Sequence, residues 1–317
     1  MQRWHGLDAV PTGWGTSVVT IGVFDGLHRG HAQIVGAAVA RAKERKIPAV
    51  LLTFVPHPSE VLHPGSHPPM LTSIVRRAEL AEQLGVDVFC AMPFNRELSQ
   101  LPPDEFVHRA LVERLHAVGV VVGDNFRFGH QAAGDVAMLK QLGERFGFVA
   151  SGITLLRDGG TVLSATYIRT CVEAGDMRAA AEALGRPHRL DGVVERGDQR
   201  GRELGFPTAN LRTDPWAAVP ADGVYAGRVV RLDEWGRTVP GEPLGIAAIS
   251  VGTNPTFEVR QRRVEAYVLD FSGDLYGQPL GIEFVERLRG MVKFDGIDPL
   301  VAQMHDDVAV TRALLTP

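Results

Sequence analysis

Up to about residue 186, short apolar runs alternate with amphipathic stretches. Runs rich in Val, Ile and Leu predict strands over residues 18–24, 49–56, 86–94 and 117–126. Apolar positions at helical spacing predict helices over residues 30–46, 74–84, 102–116 and 132–146. Continuously apolar strands that alternate with helices are typical of a parallel sheet covered on both faces. Residues 1–186 are therefore predicted to form an α/β domain.

The pattern changes near residue 187, where the long helical periods stop. Short strand-like runs, separated by segments rich in Gly and Pro, follow at residues 223–232, 244–252, 262–271 and 280–288. Only the last stretch, residues 298–315, has the apolar spacing of a helix. Short strands with turn signals between them favour an antiparallel barrel or sandwich. We expect a second domain over residues 187–317, closed by a C-terminal helix.

Composition limits the classes of partner. The chain has 317 residues, a formal net charge of −4 and no broad basic region that would favour nucleic acid or an anionic membrane. No apolar run reaches the ~18 residues of a membrane span, and the N-terminus lacks the features of a signal peptide. Two cysteines cannot build a disulfide framework, which favours a reducing compartment. We therefore expect a soluble cytoplasmic protein with neither nucleic acid nor membrane as partner.

The stretch GVFDGLHRGH, residues 22–31, lies between the first predicted strand and the first long helix. Free backbone N–H groups and the positive end of the helix dipole meet at such a corner, which favours a bound phosphate. The P-loop and dinucleotide-binding patterns are both absent. Instead, His28 and His31 offer N–H groups that can stabilise charge developing at an α-phosphate. Gly30 between them lets the backbone approach a ligand closely.

A second candidate phosphate site is LSATYIR, residues 163–169. Hydroxyls of Ser164 and Thr166 and the guanidinium of Arg169 form a clamp suited to a leaving pyrophosphate. Two other polar segments, VPHP at 55–58 and GDNFRFG at 123–129, follow predicted strands and therefore lie where α/β sheets bind ligands.

Two alternatives remain open for the first domain. His28 and His31 could form half of a zinc site with His57, His63 or His67, which would indicate a metal-dependent hydrolase. Asn125 could be an ordinary turn residue before an aromatic side chain.

The segment GRELGFPTANL, residues 201–211, carries the main signal of the second domain. Thr208 and Asn210 offer a hydroxyl and a carboxamide oxygen, ligands that Mg²⁺ accepts alongside substrate phosphates. Gly201 and Gly205 free the preceding backbone to close over phosphates. The segment therefore predicts an Mg–ATP site.

Glu265 lies inside the apolar run RRVEAYVLDF. A carboxylate within such a strand is costly unless it is used, and burial favours a pKa suited to a general base. The alternative is a structural salt bridge to Arg262 or Arg263.

These motifs resemble known families. GxFDGxHxGH, followed by a segment rich in Ser and Thr that ends in Arg, resembles the HxGH nucleotidyltransferase superfamily. With GDNFRFG, the resemblance narrows to bacterial FMN adenylyltransferase domains. The order PTAN, GVYAG (223–227), NPTF (254–257), VEAYVLDF and DLYG resembles riboflavin kinase. Together they resemble the bifunctional riboflavin kinase/FAD synthetase family over nearly the whole chain.

The resemblance implies a Rossmann-like adenylyltransferase domain, residues 1–186, and a small six-stranded riboflavin kinase barrel, residues 187–317. In the first, His28, His31 and Arg169 would be catalytic; the other implied ATP ligands are Gly22, Phe24, Asp25, Gly26, Gly30, Ser164 and Thr166. The flavin would contact His57, Pro58, Asp124, Asn125 and Arg127. Ala165 departs from the family pattern, which usually has Ser there, and so puts one hydroxyl contact in doubt.

In the second domain, the resemblance implies that Glu265 deprotonates the ribityl 5′-hydroxyl and that Thr208 and Asn210 bind Mg²⁺. ATP would contact Gly201, Gly205, Phe206 and Pro207, and the flavin would lie near Arg287 and Arg289.

The implied reactions convert riboflavin and ATP to FMN and ADP, and then FMN and ATP to FAD and pyrophosphate. Two other hypotheses are a flavin-binding regulatory protein on the same scaffold and an enzyme with only one activity, its adenylyl site weakened at Ala165. The first is disfavoured because every implied catalytic side chain is present.

Overall fold

The structure, a computed structural model, describes residues 1–197, 200–253 and 262–316. The NPTF segment at 254–257 lies outside the described residues. Contacts divide the chain into two units. The first unit comprises Met1–Pro68 and Arg77–Ser164, and the second comprises Pro69–Arg76 and the chain from Ala165 onward.

The first unit contains a six-stranded sheet and the helices that cover this sheet. The strands are β1 (Gln2–His5), β2 (Ser17–Ile21), β3 (Ala49–Val55), β4 (Val88–Pro93), β5 (Ala117–Gly123) and β6 (Val149–Ile153). The helices are α1 (Arg29–Arg45), α2 (Pro58–Leu62), α3 (Ile74–Gln83, whose first residues belong to the second unit), α4 (Arg96–Ser99), α5 (Pro103–Phe106) with a π-helical continuation (Val107–Arg114), and α6 (Val136–Phe146). A small hairpin of β7 (Arg157–Asp158) and β8 (Thr161–Val162) completes the unit.

All pairs in the six-stranded sheet are parallel, in the order β1-β4-β3-β2-β5-β6. Strands β2 and β3 are almost entirely buried, which is why their sequences are continuously apolar. The predicted Rossmann-like architecture of this part of the chain is confirmed.

The sequence pattern missed both edge strands of this sheet. β1 reads QRWH and exposes three of its four residues, and β6 is only partly buried. An edge strand packs less of its surface than a central strand, so neither segment carries a continuous apolar signal. The predicted start of α6 was also too early, because Asp135 caps the helix by accepting a hydrogen bond from the Met138 N–H at 2.8 Å.

The second unit is a closed antiparallel barrel with helices before and after it. Its strands are β9 (His188–Glu195), β10 (Ala209–Thr213), β11 (Gly223–Leu232), β12 (Thr238–Thr253), β13 (Arg262–Val268) and β14 (Pro279–Arg289). Its helices are α7 (Ala165–Ala174), α8 (Met177–Leu184), α9 (Arg200–Glu203) and α10 (Ile297–Leu315).

The barrel closes in the order β10-β13-β12-β11-β14-β9. Tyr225 and Phe284 fill its interior, with ring centroids 5.4 Å apart. In β13, the buried residues Val264, Ala266 and Val268 alternate with half-buried ones, as barrel geometry requires. The predicted small barrel with a C-terminal helix is confirmed.

Candidate functional site

The GVFDGLHRGH segment and the GDN segment follow neighbouring strands of the first unit. β2 pairs with β3 on one side and with β5 on the other, so the connections after β2 and β5 leave the sheet in different directions. Open α/β sheets bind ligands in the crevice at such a switch point. The structure therefore brings residues 22–31 and 124–127 to the carboxyl ends of two neighbouring strands, where a ligand is expected.

The corner after β2 has an unusual backbone. β2 ends at Ile21, earlier than predicted, and Phe24 and Leu27 adopt positive φ values of 52° and 39°, with Gly26 at 75°. Gly22 lies over the Phe24 ring, where an added Cβ would stand 3.2 Å from it. The chain thus turns sharply before α1 begins.

His28 caps helix α1. Its Nδ1 accepts a hydrogen bond from the His31 backbone N–H at 3.3 Å, and its side chain is buried. Because Nδ1 accepts this hydrogen bond, Nε2 is the ring nitrogen that can donate to a phosphate oxygen. A Cβ at position 30 would stand 3.1 Å from His28 Cε1 and 3.4 Å from the Leu163 carbonyl oxygen, so Gly30 makes room for the ring.

His31 stacks on His28 with ring centroids 3.7 Å apart and meets the Phe24 ring edge-on at 5.2 Å. Burial, reinforced by the charges of His28 and Arg77, lowers the pKa of His31 well below 6.5. Its Nδ1 is shielded from solvent and has no hydrogen-bond partner among the described residues. His31 is therefore neutral at physiological pH.

Asp25, which the resemblance implies as an ATP ligand, is buried in the structure. Its side chain is 2% exposed and faces Arg77, whose Nη2 is 3.6 Å from Asp25 Oδ1. A buried carboxylate beside a guanidinium supports the loop from within and is not presented to solvent. Phe24, another implied ATP ligand, also turns its ring into the protein.

The residues implied in flavin binding lie after β3 and β5. Asp124, Asn125 and Arg127 are exposed, and Arg127 Nη1 is 3.7 Å from Asp135 Oδ2. His57 caps the short helix that Pro58 begins, because its Nδ1 accepts from the Ser59 N–H at 3.1 Å.

Sequence analysis missed a chain of aromatic rings in this part of the first unit. Phe54 meets Phe94 and Phe106 at centroid distances of 5.7 and 6.5 Å. Phe106 meets Phe128 at 6.2 Å, and Phe128 stacks on Phe126 at 5.5 Å. Phe106 and Phe128 are buried in the core of this unit, whereas Phe54 and Phe126 pack against that core and are only partly buried. Their spacing along the chain is irregular, so no sequence period reveals them.

The LSATYIR segment falls at the boundary between the two units. Ser164 is the last residue of the first unit, whereas Thr166 and Arg169 lie on α7 in the second. Arg169 Nε donates to the Pro69 carbonyl oxygen at 2.6 Å, within the second unit. Arg169 also lines a cavity of about 800 Å³ together with Arg262 and Arg287.

In the barrel, the candidate kinase residues form a row on the outer surface. Glu265 of β13 stands directly opposite Asn210 of β10 on one side and Ser250 of β12 on the other. Thr208 Oγ1 donates to Glu265 Oε2 at 3.4 Å. The structure thus brings together the three side chains that the sequence predicted, and adds Ser250.

Asn210 is held close to the chain that precedes it. A Cβ at position 197 would stand 2.5 Å from the Asn210 carboxamide, so only glycine fits there. The loop after α9 folds back on that helix, because the Phe206 N–H donates to the Gly201 carbonyl oxygen at 2.8 Å. Gly205 has a φ of 87°, and Pro207 is exposed.

Phe206, which the resemblance implies as an ATP contact, is buried. Its ring packs edge-on against Tyr267 at 5.2 Å and His305 at 5.0 Å. It therefore anchors the loop between β13 and α10.

Glu265 is only half-buried, which corrects the expectation of an interior carboxylate. Val264 and Ala266, its neighbours in sequence, point into the barrel, so Glu265 points outward. Arg262, one candidate for a structural salt bridge, instead pairs with Asp222 at 3.0 Å.

Arg287 and Arg289 both make structural contacts. Arg287 donates to the Asp222 carbonyl oxygen at 2.7 Å and to the Ala174 carbonyl oxygen at 3.2 Å. Arg289 forms a bidentate salt bridge with Asp307 of α10, in which the shortest contact joins Nη2 to Oδ2 at 2.7 Å.

The histidine corner and the Thr208, Asn210 and Glu265 row on the barrel differ in their capacity to bind a metal ion. In the described ranges, no three His, Cys, Asp or Glu side chains come together in a way that could hold a metal ion. This arrangement does not support the zinc hydrolase alternative. A site for Mg²⁺ needs fewer protein ligands, because substrate phosphates and water supply the rest. The hard oxygens of Thr208 and Asn210 beside Glu265 fit that requirement.

Two protein-family models match this chain. The FAD synthetase model covers residues 11–167, and the riboflavin kinase model covers residues 184–315. The chain is 35% identical over 318 residues to the bifunctional riboflavin kinase/FMN adenylyltransferase of Pseudomonas fluorescens, covering 100% of this chain and 99% of the relative. It is 32% identical over 295 residues to the protein of the same description from Escherichia coli (strain K12), covering 93% and 91%.

A solved structure from Streptococcus pneumoniae, described as a macrolide-efflux protein, superposes with a TM-score of 0.87 at 29% identity and covers 98% of this chain and 99% of that chain. The similarity covers nearly the whole of both chains. Efflux is an activity named for the Streptococcus pneumoniae protein only. Within the described residues, every helix of the present chain is too short or too polar to span a bilayer. The full-length identities, the two matched models and the fold agree: the chain belongs to the bifunctional riboflavin kinase/FMN adenylyltransferase family.

Proposed function

We propose that residues 1–186 adenylylate FMN and residues 187–317 phosphorylate riboflavin, each through the site residues described above. The family establishes the two reactions and their order along the chain. The stacked pair of His28 and His31 at the N-terminus of α1 is the observation that carries the assignment of the first reaction.

In adenylylation, a phosphate oxygen of FMN attacks the α-phosphorus of ATP. A new P–O bond forms there, and the bond to pyrophosphate breaks. The Nε2–H of His28, the ring of His31 and the free N–H groups at the start of α1 stabilise the charge that develops on the α-phosphate. Gly22 and Gly30 let the backbone approach the phosphates, and Ser164, Thr166 and Arg169 bind the leaving pyrophosphate.

The flavin of FMN binds beside the carboxyl ends of β3 and β5 in this proposal. Asn125, Asp124 and Arg127 offer exposed polar groups there, and the partly buried rings of Phe54 and Phe126 are the candidates for stacking on an isoalloxazine. His57 and Pro58 shape the loop after β3.

In the kinase reaction, Glu265 accepts the proton of the ribityl 5′-hydroxyl, whose oxygen then attacks the γ-phosphorus of ATP as ADP leaves. Thr208 and Asn210 would hold Mg²⁺, which supplies neutralisation of phosphate charge. The contact from Thr208 to Glu265 orients the carboxylate. The 201–207 loop covers the phosphates. That Arg287 and Arg289 contact the flavin stays a prediction, because both guanidinium groups already fasten β14 to its surroundings.

The same proposal includes a cytoplasmic location and small molecules as partners: riboflavin, FMN, FAD, ATP, ADP and pyrophosphate. Both cysteines are free and buried, which suits a reducing compartment. The formal net charge of −4 does not favour a nucleic acid partner.

Incubation of the purified chain with riboflavin, ATP and Mg²⁺, followed by chromatographic separation of FMN from FAD, tests the proposal. We expect FMN to rise first and FAD to follow. Accumulation of FMN alone would indicate an adenylyl site weakened at Ala165. Bound flavin without any product would favour the regulatory alternative.

A further inference from the structure

Arg77 is a buried arginine directly beneath the histidine corner. Its side chain is 3% exposed, and its Nη1 donates to the Val23 carbonyl oxygen at 2.9 Å. The same nitrogen is 3.4 Å from Thr53 Oγ1, and Nη2 is 3.6 Å from Asp25 Oδ1. Two of these contacts are to the loop between β2 and α1.

The loop needs such support, because its backbone is not in a relaxed conformation. Phe24 and Leu27 hold positive φ values although neither is glycine. Such conformations cost free energy and persist only where the surrounding structure enforces them. Thr53 of β3 donates a second hydrogen bond to the Val23 carbonyl oxygen, at 2.9 Å. Arg77 and Thr53 therefore bind the same carbonyl oxygen.

A buried guanidinium is itself costly unless its donors are used. The contacts of Arg77 with Val23 and Asp25 lie in the segment that leads directly to the capping residue His28, one residue before α1 begins. Loss of Arg77 would leave the Asp25 carboxylate buried without this cation. The loop would then shift to hydrate that carboxylate, and His28 and His31 would move with it.

We infer that Arg77 is a positioning residue for adenylylation, which holds the corner loop so that His28 and His31 meet the α-phosphate. The inference rests on the proposed role of the two histidines. Arg77 does not touch substrate in this account: it acts through the Val23 carbonyl group and the Asp25 carboxylate. Its positive charge also helps to keep His31 neutral.

The test compares Arg77→Met and Arg77→Lys in the full-length chain. Arg114→Met is the matched control, because it breaks an Arg–Asp pair in the same unit that is exposed to solvent (Arg114 to Asp8, 3.1 Å). For each variant, kcat and KM for adenylylation of FMN, riboflavin phosphorylation and the melting temperature are measured on one preparation.

We expect Arg77→Met to lower kcat of adenylylation by ~100-fold, the effect of a misplacement on the order of 1 Å. Phosphorylation of riboflavin should be unchanged. Arg77→Lys, which restores the charge and one donor, should recover part of kcat, and Arg114→Met should match the unaltered chain. A folded Arg77→Met variant with normal kcat would overturn the inference, as would a lysine variant no better than the methionine variant.

If Arg77→Met does not fold, the double variant Arg77→Met/Asp25→Asn replaces it, because it removes the buried carboxylate charge together with the guanidinium. Normal adenylylation by the folded double variant would also overturn the inference. His31→Ala, assayed in parallel, separates the two claims. Normal adenylylation by His31→Ala refutes the proposed histidine site, whereas slow His31→Ala with normal Arg77→Met refutes the positioning role alone.

Discussion

The two candidate sites of this chain are built in different ways. In the first unit, the proposed catalytic groups lie on a strained turn, and their geometry depends on positive φ angles, a capping histidine and a buried cation beneath the loop. In the barrel, Glu265 faces Asn210 and Ser250 across two strand pairs, so strand register alone brings them together. The first site is therefore sensitive to residues that do not touch substrate, whereas the second should be sensitive mainly to the side chains of the row.

The largest effect is expected at Glu265. Glu265→Gln keeps the shape of the side chain but cannot accept a proton, so riboflavin phosphorylation should fall by ~10²–10⁴. Adenylylation of supplied FMN should continue at its usual rate. The measurement is the initial rate of each reaction with one preparation.

Glu286→Gln is the matched control, because Glu286 lies on β14 of the same barrel in a salt bridge with Arg178. If Glu265 were only structural, its variant would melt at a lower temperature while the folded protein kept most of its kinase turnover. That outcome would remove the proposed base.

A second prediction concerns the corner. His31→Ala removes a group that stabilises the α-phosphate and should slow adenylylation by ~10²–10³. FMN formation from riboflavin should persist. His108→Ala, at an exposed helical histidine that pairs with Glu113 at 3.4 Å, should leave both rates unchanged. Equal loss of both activities in His31→Ala would indicate a folding defect and count against independent sites.

Much of this comparison could be foreseen from the sequence. Apolar periods revealed the parallel sheet and the barrel because burial of whole strands imposes them. The glycines and histidines of the corner predict a phosphate site, and the structure brings His28 and His31 together there. Arg77 could not be foreseen, because a charged residue in the run VRRAEL is typical of a solvated helix face. The inward turn of Asp25 and the pairing of Arg289 with Asp307 depend on tertiary contacts that carry no local signal.

The unit boundary is another tertiary feature. The sequence period changes near residue 187, but α7 and α8 group with the barrel. Side chains of Met177 and Leu184 on α8 are buried, and Arg287 of β14 donates to the Ala174 carbonyl oxygen at 3.2 Å.

A third prediction follows from those helices. A fragment of residues 187–317 should form FMN but no FAD, and a fragment of residues 165–317 should do the same with greater stability. Burial of two large apolar side chains on α8 is worth on the order of 3 kcal/mol in unfolding free energy. Urea unfolding of both fragments measures the difference. Equal stability would show that α7 and α8 contribute nothing to the barrel.

The smallest effect is a pH dependence of stability in the first unit. Folding lowers the pKa of His31 well below its ordinary value of 6.5, so below that pH the unfolded chain binds a proton that the folded chain does not. Stability should therefore fall as the pH drops below 6.5, by at most about 1.4 kcal/mol per pH unit, and this contribution should be constant at higher pH. Denaturant unfolding between pH 5 and pH 8, compared with His31→Gln, measures it. An identical pH dependence in the variant would contradict a neutral buried His31.

The central claim is that one chain holds two chemically independent sites, one at the corner and one on the barrel. The most direct measurement mixes purified His31→Ala with purified Glu265→Gln in the presence of riboflavin, ATP and Mg²⁺ and follows FAD formation. Alone, the first variant should stop at FMN and the second should leave riboflavin unchanged. Together they should form FAD, because FMN released by the first is adenylylated by the second. FAD formation at the normal rate by either variant alone, or a folded variant that has lost both reactions, would contradict the claim.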